Sequence, residues 1–182
     1  MLKIIITGPE SSGKTTLARQ LAEHFNAPLV EEYVRVFFEK KETQVYTQQD
    51  LHDIAKGQLN NELSNMNENF NMIICDTDLL TIKIWSNEVF GNCSPELAQL
   101  VDNQLNNPQN TTSDFYFLCS PQNVDWEDDP LRENPNDRNR LFNIYEKELK
   151  FYQKKHFILR GGKIERFDKA KRIIQQIIQN SV

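Results

Sequence analysis

Apolar residues fall into two patterns along the chain: short unbroken runs, and longer stretches at helical spacing. Five runs read as strands, over Leu2–Thr7, Ala27–Glu31, Met72–Cys75, Phe115–Cys119 and His156–Arg160. Runs that are apolar on both faces suit strands covered by helices, as in a parallel sheet. Between them, Lys14–Phe25 sets Leu17, Leu21 and Phe25 on one helical face. A helix is expected over Thr47–Asn69, opening at Thr47-Gln48-Gln49-Asp50 as an N-cap, with Leu59, Leu63 and Met66 as its later apolar stripe. The Asn- and Glu-rich segment Asn60–Asn71 therefore reads as exposed helix rather than disorder. Further helices are expected over Leu79–Phe90, Pro95–Leu105, Asn136–Lys154 and Asp168–Gln179. In the last, Asp168 would cap the helix, and Ile173, Ile174, Ile177 and Ile178 would form the buried face. Alternating strands and helices predict one three-layer α/β domain over residues 1–182, with a five-stranded parallel sheet and right-handed crossovers.

Composition narrows the partners. The chain has 182 residues, with 21 Lys+Arg against 26 Asp+Glu and a formal net charge of −5. That balance disfavours a protein built to grip nucleic acid, which needs a clustered positive field. Cys75, Cys93 and Cys119 are widely spaced, with no Cys-x-x-Cys pair and no Cys/His cluster. Neither a zinc site nor a disulfide scaffold is expected, and a reducing compartment is. The opening run Met1–Thr7 is too short for a signal peptide, and no stretch approaches a membrane span. These features point to a cytoplasmic protein with a small-molecule partner rather than a membrane.

The chemistry begins at Gly8-Pro9-Glu10-Ser11-Ser12-Gly13-Lys14-Thr15, a complete G-x-x-x-x-G-K-[ST] match between an apolar strand and an amphipathic helix. Glycines let the backbone wrap an anion, and successive N–H groups with the positive helix end then face the phosphates. Gly8, Glu10, Ser11, Ser12, Gly13, Lys14, Thr15 and Thr16 are the expected ATP contacts. Lys14 would reach the β- and γ-phosphates and Thr15 would hold Mg²⁺. No Asn-Lys-x-Asp guanine reader is present, and a chain of this length suits phosphorylation of a small molecule better than a motor.

A second cluster lies at the strand end Met72–Cys75, followed by Asp76-Thr77-Asp78. The carboxyl end of a parallel strand faces the ligand crevice, so Asp76 is the first choice for the Mg²⁺ carboxylate. Asp78 would orient the metal's water or the phosphoryl acceptor, or cap the helix over Leu79–Phe90; the two roles are compatible. At Glu31-Glu32-Tyr33-Val34-Arg35, Glu32 could accept the proton of an attacking hydroxyl, or serve as a solvated acid against a helix dipole. Which of Glu32, Asp76 and Asp78 acts as base stays open.

The stretch over residues 125–140 carries Pro130, Pro135, Arg132, Arg138 and Arg140 and reads as a lid. Arg132 and Arg138 suit the charge spread over a transferring phosphoryl group, whereas Arg140 could equally pair with Asp137. Trp126 lies among Asp125, Glu127 and Asp128, an arrangement suited to a flat, cationic heterocycle, with Tyr33 as a second platform. Trp85, at helical spacing, reads as core.

With those residues in place, the chain resembles the ribosylnicotinamide kinase domain of NadR-type proteins of NAD salvage, a P-loop, AAA-type ATPase-like family. The resemblance is carried by the phosphate loop through Leu17, by Glu31–Arg35, Asp76–Thr81 and Lys83–Trp85, and by Asp125-Trp126-Glu127-Asp128-Asp129-Pro130-Leu131-Arg132. It implies a P-loop nucleoside-kinase-like fold, ATP and Mg²⁺ as cofactors, and phosphorylation of the ribose 5′-hydroxyl of nicotinamide riboside. It implies Lys14 and Thr15 at the phosphates and Mg²⁺, Asp76 and Glu32 at the metal and acceptor, and Arg132 and Arg138 at the transferred group. Substrate contacts are expected from Glu32, Tyr33, Arg35, Asp78, Trp126 and Asp128. The sequence lacks the His-x-Gly-His signature and the helix-turn-helix domain of full-length members, so adenylylation and repression are not expected of it. The alternatives are a P-loop kinase for another nucleoside or nucleotide, and a nucleotide-dependent regulatory module.

Overall fold

The computed structural model describes residues 1–41, 43, 45–66, 69–106, 113–127 and 136–180. In chain order the elements are β1 (Leu2–Thr7), α1 (Lys14–Phe25), β2 (Leu29–Val30), α2 (Tyr33–Lys40), α3 (Gln48–Asn65), β3 (Met72–Asp76), α4 (Leu79–Phe90), α5 (Pro95–Asn106), β4 (Ser113–Cys119), α6 (Arg138–Phe151), β5 (His156–Leu159) and α7 (Lys163–Gln179). The strands form one parallel sheet in the order β2-β3-β1-β4-β5. β1 is central because both its faces are apolar: Ile4, Ile5 and Ile6 are all fully buried. Ile5, Ile73, Cys75, Tyr116 and Leu118 face one core, packed by residues from α2 through α6. Ile4, Ile6, Ile74, Phe117 and Leu159 face the other, packed by α1 and α7. The three-layer α/β architecture with five parallel strands is as expected.

The differences have local causes. The strand expected at Ala27–Glu31 shrinks to Leu29–Val30, since at the sheet edge it bonds to β3 alone. The chain then turns into α2, which the strand-exit reading overlooked; Val34 and Phe38 are its buried residues. α3 opens as expected, with the Thr47 side chain accepting from the Asp50 N–H and Asp50 accepting from the Thr47 N–H. Its buried face, however, is Leu51, Ile54, Ala55, Gln58 and Glu62, and Leu63 points into solvent. α6 starts at Arg138 rather than Asn136. α7 starts at Lys163, one and a half turns before Asp168, because Glu165 accepts from the Gly162 N–H at 2.8 Å and closes the helix start there. Its buried residues are Arg166, Ala170 and Ile174, and Ile178 is exposed. Among the described residues no helix is long and apolar enough to cross a membrane.

Two polar side chains on the α3 face explain why its stripe misled. Glu62 is 1% exposed and receives the ammonium of Lys3 from β1, itself 3% exposed. Gln104 of α5 donates to the same carboxylate at 2.7 Å. Burial works against the Lys3 charge, but Glu62, with Cys75, Asp78 and Asp114 beyond it, outweighs burial and holds the ammonium above its usual range. Burial also pushes the Glu62 carboxyl up to about 7, against the pull of Lys3.

Removing one partner of such a pair strands the other. Lys3→Met is expected to destabilise the fold by about 3–5 kcal/mol at pH 8, a fall in Tm of roughly 10 °C. The sign of its pH dependence follows from Glu62. A carboxyl whose folded pKa lies above its unfolded value favours folding at low pH and loses that contribution as pH rises through the folded value. The loss should therefore shrink at pH 5, and Lys3→Met/Glu62→Leu should recover most of it. Thermal unfolding at the two pH values checks this; an equal loss at both would contradict the charge argument.

Candidate functional site

The phosphate loop links the end of β1 to α1 at the carboxyl edge of the sheet. Gly8 has φ +137°, and a Cβ there would lie 2.7 Å from the Cys119 carbonyl oxygen, so only glycine lets the loop pass β4 this closely. Gly13 stands at the N-cap of α1 with no side-chain cap, and no acid occupies the first helical turn. The loop's carbonyls are instead held by cations. Lys14 Nζ donates to Pro9 O at 2.8 Å, Arg138 Nη1 to Ser11 O at 3.1 Å and Arg166 Nη1 to Ser12 O at 2.6 Å. The Ser11 hydroxyl both donates to the Glu127 carbonyl (3.3 Å) and accepts from the Glu127 N–H (3.2 Å), which ties the following loop to this one.

A cavity of about 190 Å³ opens over the loop. Gly8, Glu10, Ser11, Ser12, Gly13, Lys14, Thr15 and Thr16 line one side, so the expected ATP contacts come together as a group. Glu32, Arg35, Thr81, Ile84, Trp85, Glu88, Leu141 and Tyr145 line the rest. Glu32 takes the N-cap position of α2 without a side-chain cap bond, while Glu31 turns outward to Arg19 at 2.9 Å. α4 offers Thr81, Ile84, Trp85 and Glu88, an i, i+3, i+4, i+7 set that forms one helical face. Trp85 Nε1–H donates to the Tyr46 hydroxyl at 2.9 Å, and their rings lie 4.9 Å apart, which fixes the indole at the cavity wall. Glu88 pairs with Arg140 at 2.5 Å, and Arg140 also holds Asp137. Tyr145 is fully desolvated, which drives its hydroxyl well above the usual phenol range while Thr81 binds it. A second cavity adjoins the loop on its α1 side, bounded by Thr16, Gln20, Asn123, Gly161, Gly162, Lys163 and Arg166.

Asp76 ends β3 beside β1, opposite Ile6, and is 2% exposed. Its Oδ1 is buried with no hydrogen-bond partner among the described residues. Burial raises the Asp76 carboxyl, while the Thr15 hydroxyl and the Lys14, Arg19 and Arg35 charges draw it back. An orphaned buried carboxylate oxygen beside a phosphate-loop threonine is a donor set that fits Mg²⁺, which keeps most of its waters and takes one or two protein oxygens. No cluster of three or more His, Cys, Asp or Glu occurs among the described residues, so no closed metal cage competes there.

Several expected site residues lie elsewhere. Asp78 is fully buried and off the cavity wall: one oxygen accepts from the Leu80 N–H at 3.1 Å, and the other accepts from the Tyr116 hydroxyl at 2.6 Å. It is the cap of α4, with both oxygens engaged within the fold. Tyr33 is not among the residues that line the cavity; its ring packs on Gly57, where a Cβ would lie 2.0 Å from it. Trp126 does not line the cavity; its half-buried ring centre lies 5.8 Å from the Arg138 guanidinium carbon. Arg138, by contrast, stays beside the phosphate loop, donating to the Ser11 and Val124 carbonyls. Asp128 and Arg132 lie outside the described residues. Conversely, Trp85, Glu88, Tyr145, Lys163 and Arg166 were not singled out as site residues. For Trp85, the 81-84-85-88 spacing was the available signal, but spacing alone does not say whether a face meets core or cavity.

The AAA domain family model matches residues 3–166. Among solved structures, NadR protein in complex with NAD and AMP-PNP is similar at TM-score 0.72 and 21% identity, covering 96% of this chain and 49% of that one. NadR in complex with NR gives 0.71 and 21%, covering 96% and 51%. Deoxyadenosine kinase from M. mycoides with bound dATP gives 0.60 and 14%, covering 96% of this chain and 100% of that one. The chain thus spans about half the length of the NadR chains and shares their P-loop fold. A phosphate loop complete in sequence and geometry, inside a family match that runs from β1 to the start of α7, makes the chain a member of the AAA domain family.

Proposed function

We propose that the protein is an ATP-dependent kinase that phosphorylates the ribose 5′-hydroxyl of nicotinamide riboside. The observation that carries this is one cavity shared by the phosphate loop and by a wall of Glu32, Trp85 and Glu88. A triphosphate on the loop and a nucleoside against that wall would have their reacting ends in the same small space, which is what phosphoryl transfer requires. NadR in complex with NR, to which this chain is similar in fold, binds the molecule in question. The triphosphate would lie along the loop with its base toward the second cavity, near Asn123 and Lys163.

The chain's own residues divide the work. Loop N–H groups and Lys14 bind the phosphates, and Lys14 exchanges its Pro9 carbonyl for phosphate oxygens as they arrive. Thr15 and Asp76 would hold Mg²⁺, whose charge offsets that of the phosphate oxygens. Glu32 takes the proton of the attacking hydroxyl, and Arg35 adds positive charge beside it. Trp85 offers an aromatic face to a cationic pyridinium, with the Glu88 carboxylate three residues along the helix. The setting is cytoplasmic, in keeping with Cys75, Cys93 and Cys119 as free thiols.

Lys14→Ala is expected to fold normally and lose about a hundredfold or more in kcat/KM; coupled ADP-release assays check it, and near-normal turnover would refute the kinase reading. Asp76→Asn should raise the Mg²⁺ concentration needed for half-maximal rate. An unchanged Mg²⁺ requirement in Asp76→Asn would remove Asp76 from the metal. For specificity, wild type should prefer nicotinamide riboside to uridine in kcat/KM. Trp85→Ala should cut that preference by the worth of one stacked cation, about 0.5–2 kcal/mol, or roughly two- to thirtyfold. Trp126→Ala should leave the ratio alone. Equal use of uridine by the wild type would sink the assignment.

A further inference from the structure

Arg166 is the charged residue that the proposed reaction does not use and that the fold has most deeply buried beside the phosphate loop. It is 4% exposed. Its guanidinium donates to four carbonyl oxygens in three segments. They are Ser12 of the phosphate loop (2.6 Å), Ser120 and Gln122 after β4 (2.7 and 3.3 Å), and Gly161 after β5 (2.7 Å). No carboxylate pairs with it among the described residues. A buried cation held only by neutral dipoles is costly unless an anion offsets it.

The bond to Ser12 has a geometric consequence. A trans peptide is planar, with its C=O and N–H antiparallel. Fixing the Ser12 carbonyl on Arg166 therefore turns the Gly13 N–H to the opposite side. Arg166 borders the second cavity but not the first, whereas Gly13 borders both. The Gly13 N–H thus faces away from the Arg166 guanidinium.

We propose that Arg166 is a positioning residue for phosphate binding: it holds the Ser12–Gly13 peptide with its N–H toward the phosphates, and its unpaired charge is offset when they bind. This rests on the phosphate-loop half of the kinase reading and is independent of which nucleoside is the acceptor. Arg166 touches no reacting atom. It acts through Gly13, and through the anchoring of the β4 and β5 exits against the loop.

The test is binding, by calorimetry, of ATP and of inorganic tripolyphosphate, which has phosphates but no base. In Arg166→Met both affinities should fall by about tenfold or more, and by the same factor, since a charge-assisted bond to the loop is lost in both cases. Arg166→Lys keeps the charge but not the planar fork, and should recover part of the loss. A merely structural arginine would lower Tm and leave the tripolyphosphate affinity of the folded variant within twofold of wild type, which overturns the proposal. A loss confined to ATP also overturns it, by placing Arg166 at the base. If Arg166→Met does not fold, Arg166→Lys and the wild-type Arg166 ¹⁵Nε–H resonance decide. That signal should shift on addition of tripolyphosphate, and an unmoved signal with the ligand bound overturns the proposal. Failure of the wild type to bind either probe would instead sink the nucleotide-binding reading itself.

Discussion

Peptide groups are planar, so a loop that turns its N–H bonds toward an anion must turn the matching carbonyls away from it. Those carbonyls then need donors of their own, and near the crowded end of a sheet few are available from backbone. Here they are supplied by Lys14, Arg138 and Arg166, on Pro9, Ser11 and Ser12 respectively. The three cations come from α1, α6 and α7, so the phosphate loop gathers one residue from each of three helices. Much of the fold at this edge serves that requirement. α7 starts early enough to place Arg166 in its first turn, and α6 begins at Arg138 itself.

The cations differ in what they can give up. Lys14 spends one flexible ammonium on one carbonyl and can exchange it for phosphate oxygens at little structural cost. Arg166 is bound by three segments at once and buried, so it stays where it is. Arg138 lies between these cases, holding Ser11 and Val124 with the Trp126 ring centre 5.8 Å from its guanidinium carbon. The expected transition-state arginine is therefore, in this conformation, a clamp on the loop it was expected to approach. The same physics accounts for both roles: a guanidinium satisfies whichever oxygens are in reach, carbonyl or phosphoryl.

This division explains what could be read from the sequence. The phosphate loop was legible in full because its strand, glycines, lysine and helix are contiguous, and so was the alternation that builds the parallel sheet. Asp76 was legible because a carboxylate ending a buried strand can only face the crevice edge. Arg166 was not, because its partners are backbone carbonyls up to 154 residues away that leave no side-chain signature. The surroundings of the two tryptophans were legible only in part, for a related reason. Trp126 has the Arg138 guanidinium near its ring as well as acidic neighbours; Trp85 packs against the core, as its spacing suggested, and Tyr46, 39 residues distant, also holds it at the cavity wall. Gln58 and Glu62 broke the α3 stripe because their partners, Tyr33 and Lys3, lie on other elements.

α4 shows how a residue can matter to the site without touching it. Its cavity face is Thr81, Ile84, Trp85 and Glu88, and its opposite face carries Leu79, Leu80, Ile82 and Ser86 into the core. Each residue of a helix advances about 100° around the axis, so a one-residue change in where α4 begins would carry Trp85 off the wall and bring core leucines round toward the cavity. The beginning is set by Asp78, whose one oxygen caps Leu80 while the other is anchored to Tyr116 on β4. Lys3 on β1 lies close enough to draw the Asp78 carboxyl down against the burial that raises it. The Lys3–Glu62 pair, at the amino end of β1, thus acts electrostatically on the carboxylate that caps a helix lining the cavity. Burying those charges is costly in a small domain. It is the Asp78 bonds to Leu80 and Tyr116, and not the ion pair itself, that hold the start of α4 and with it the wall against which a nucleoside would lie.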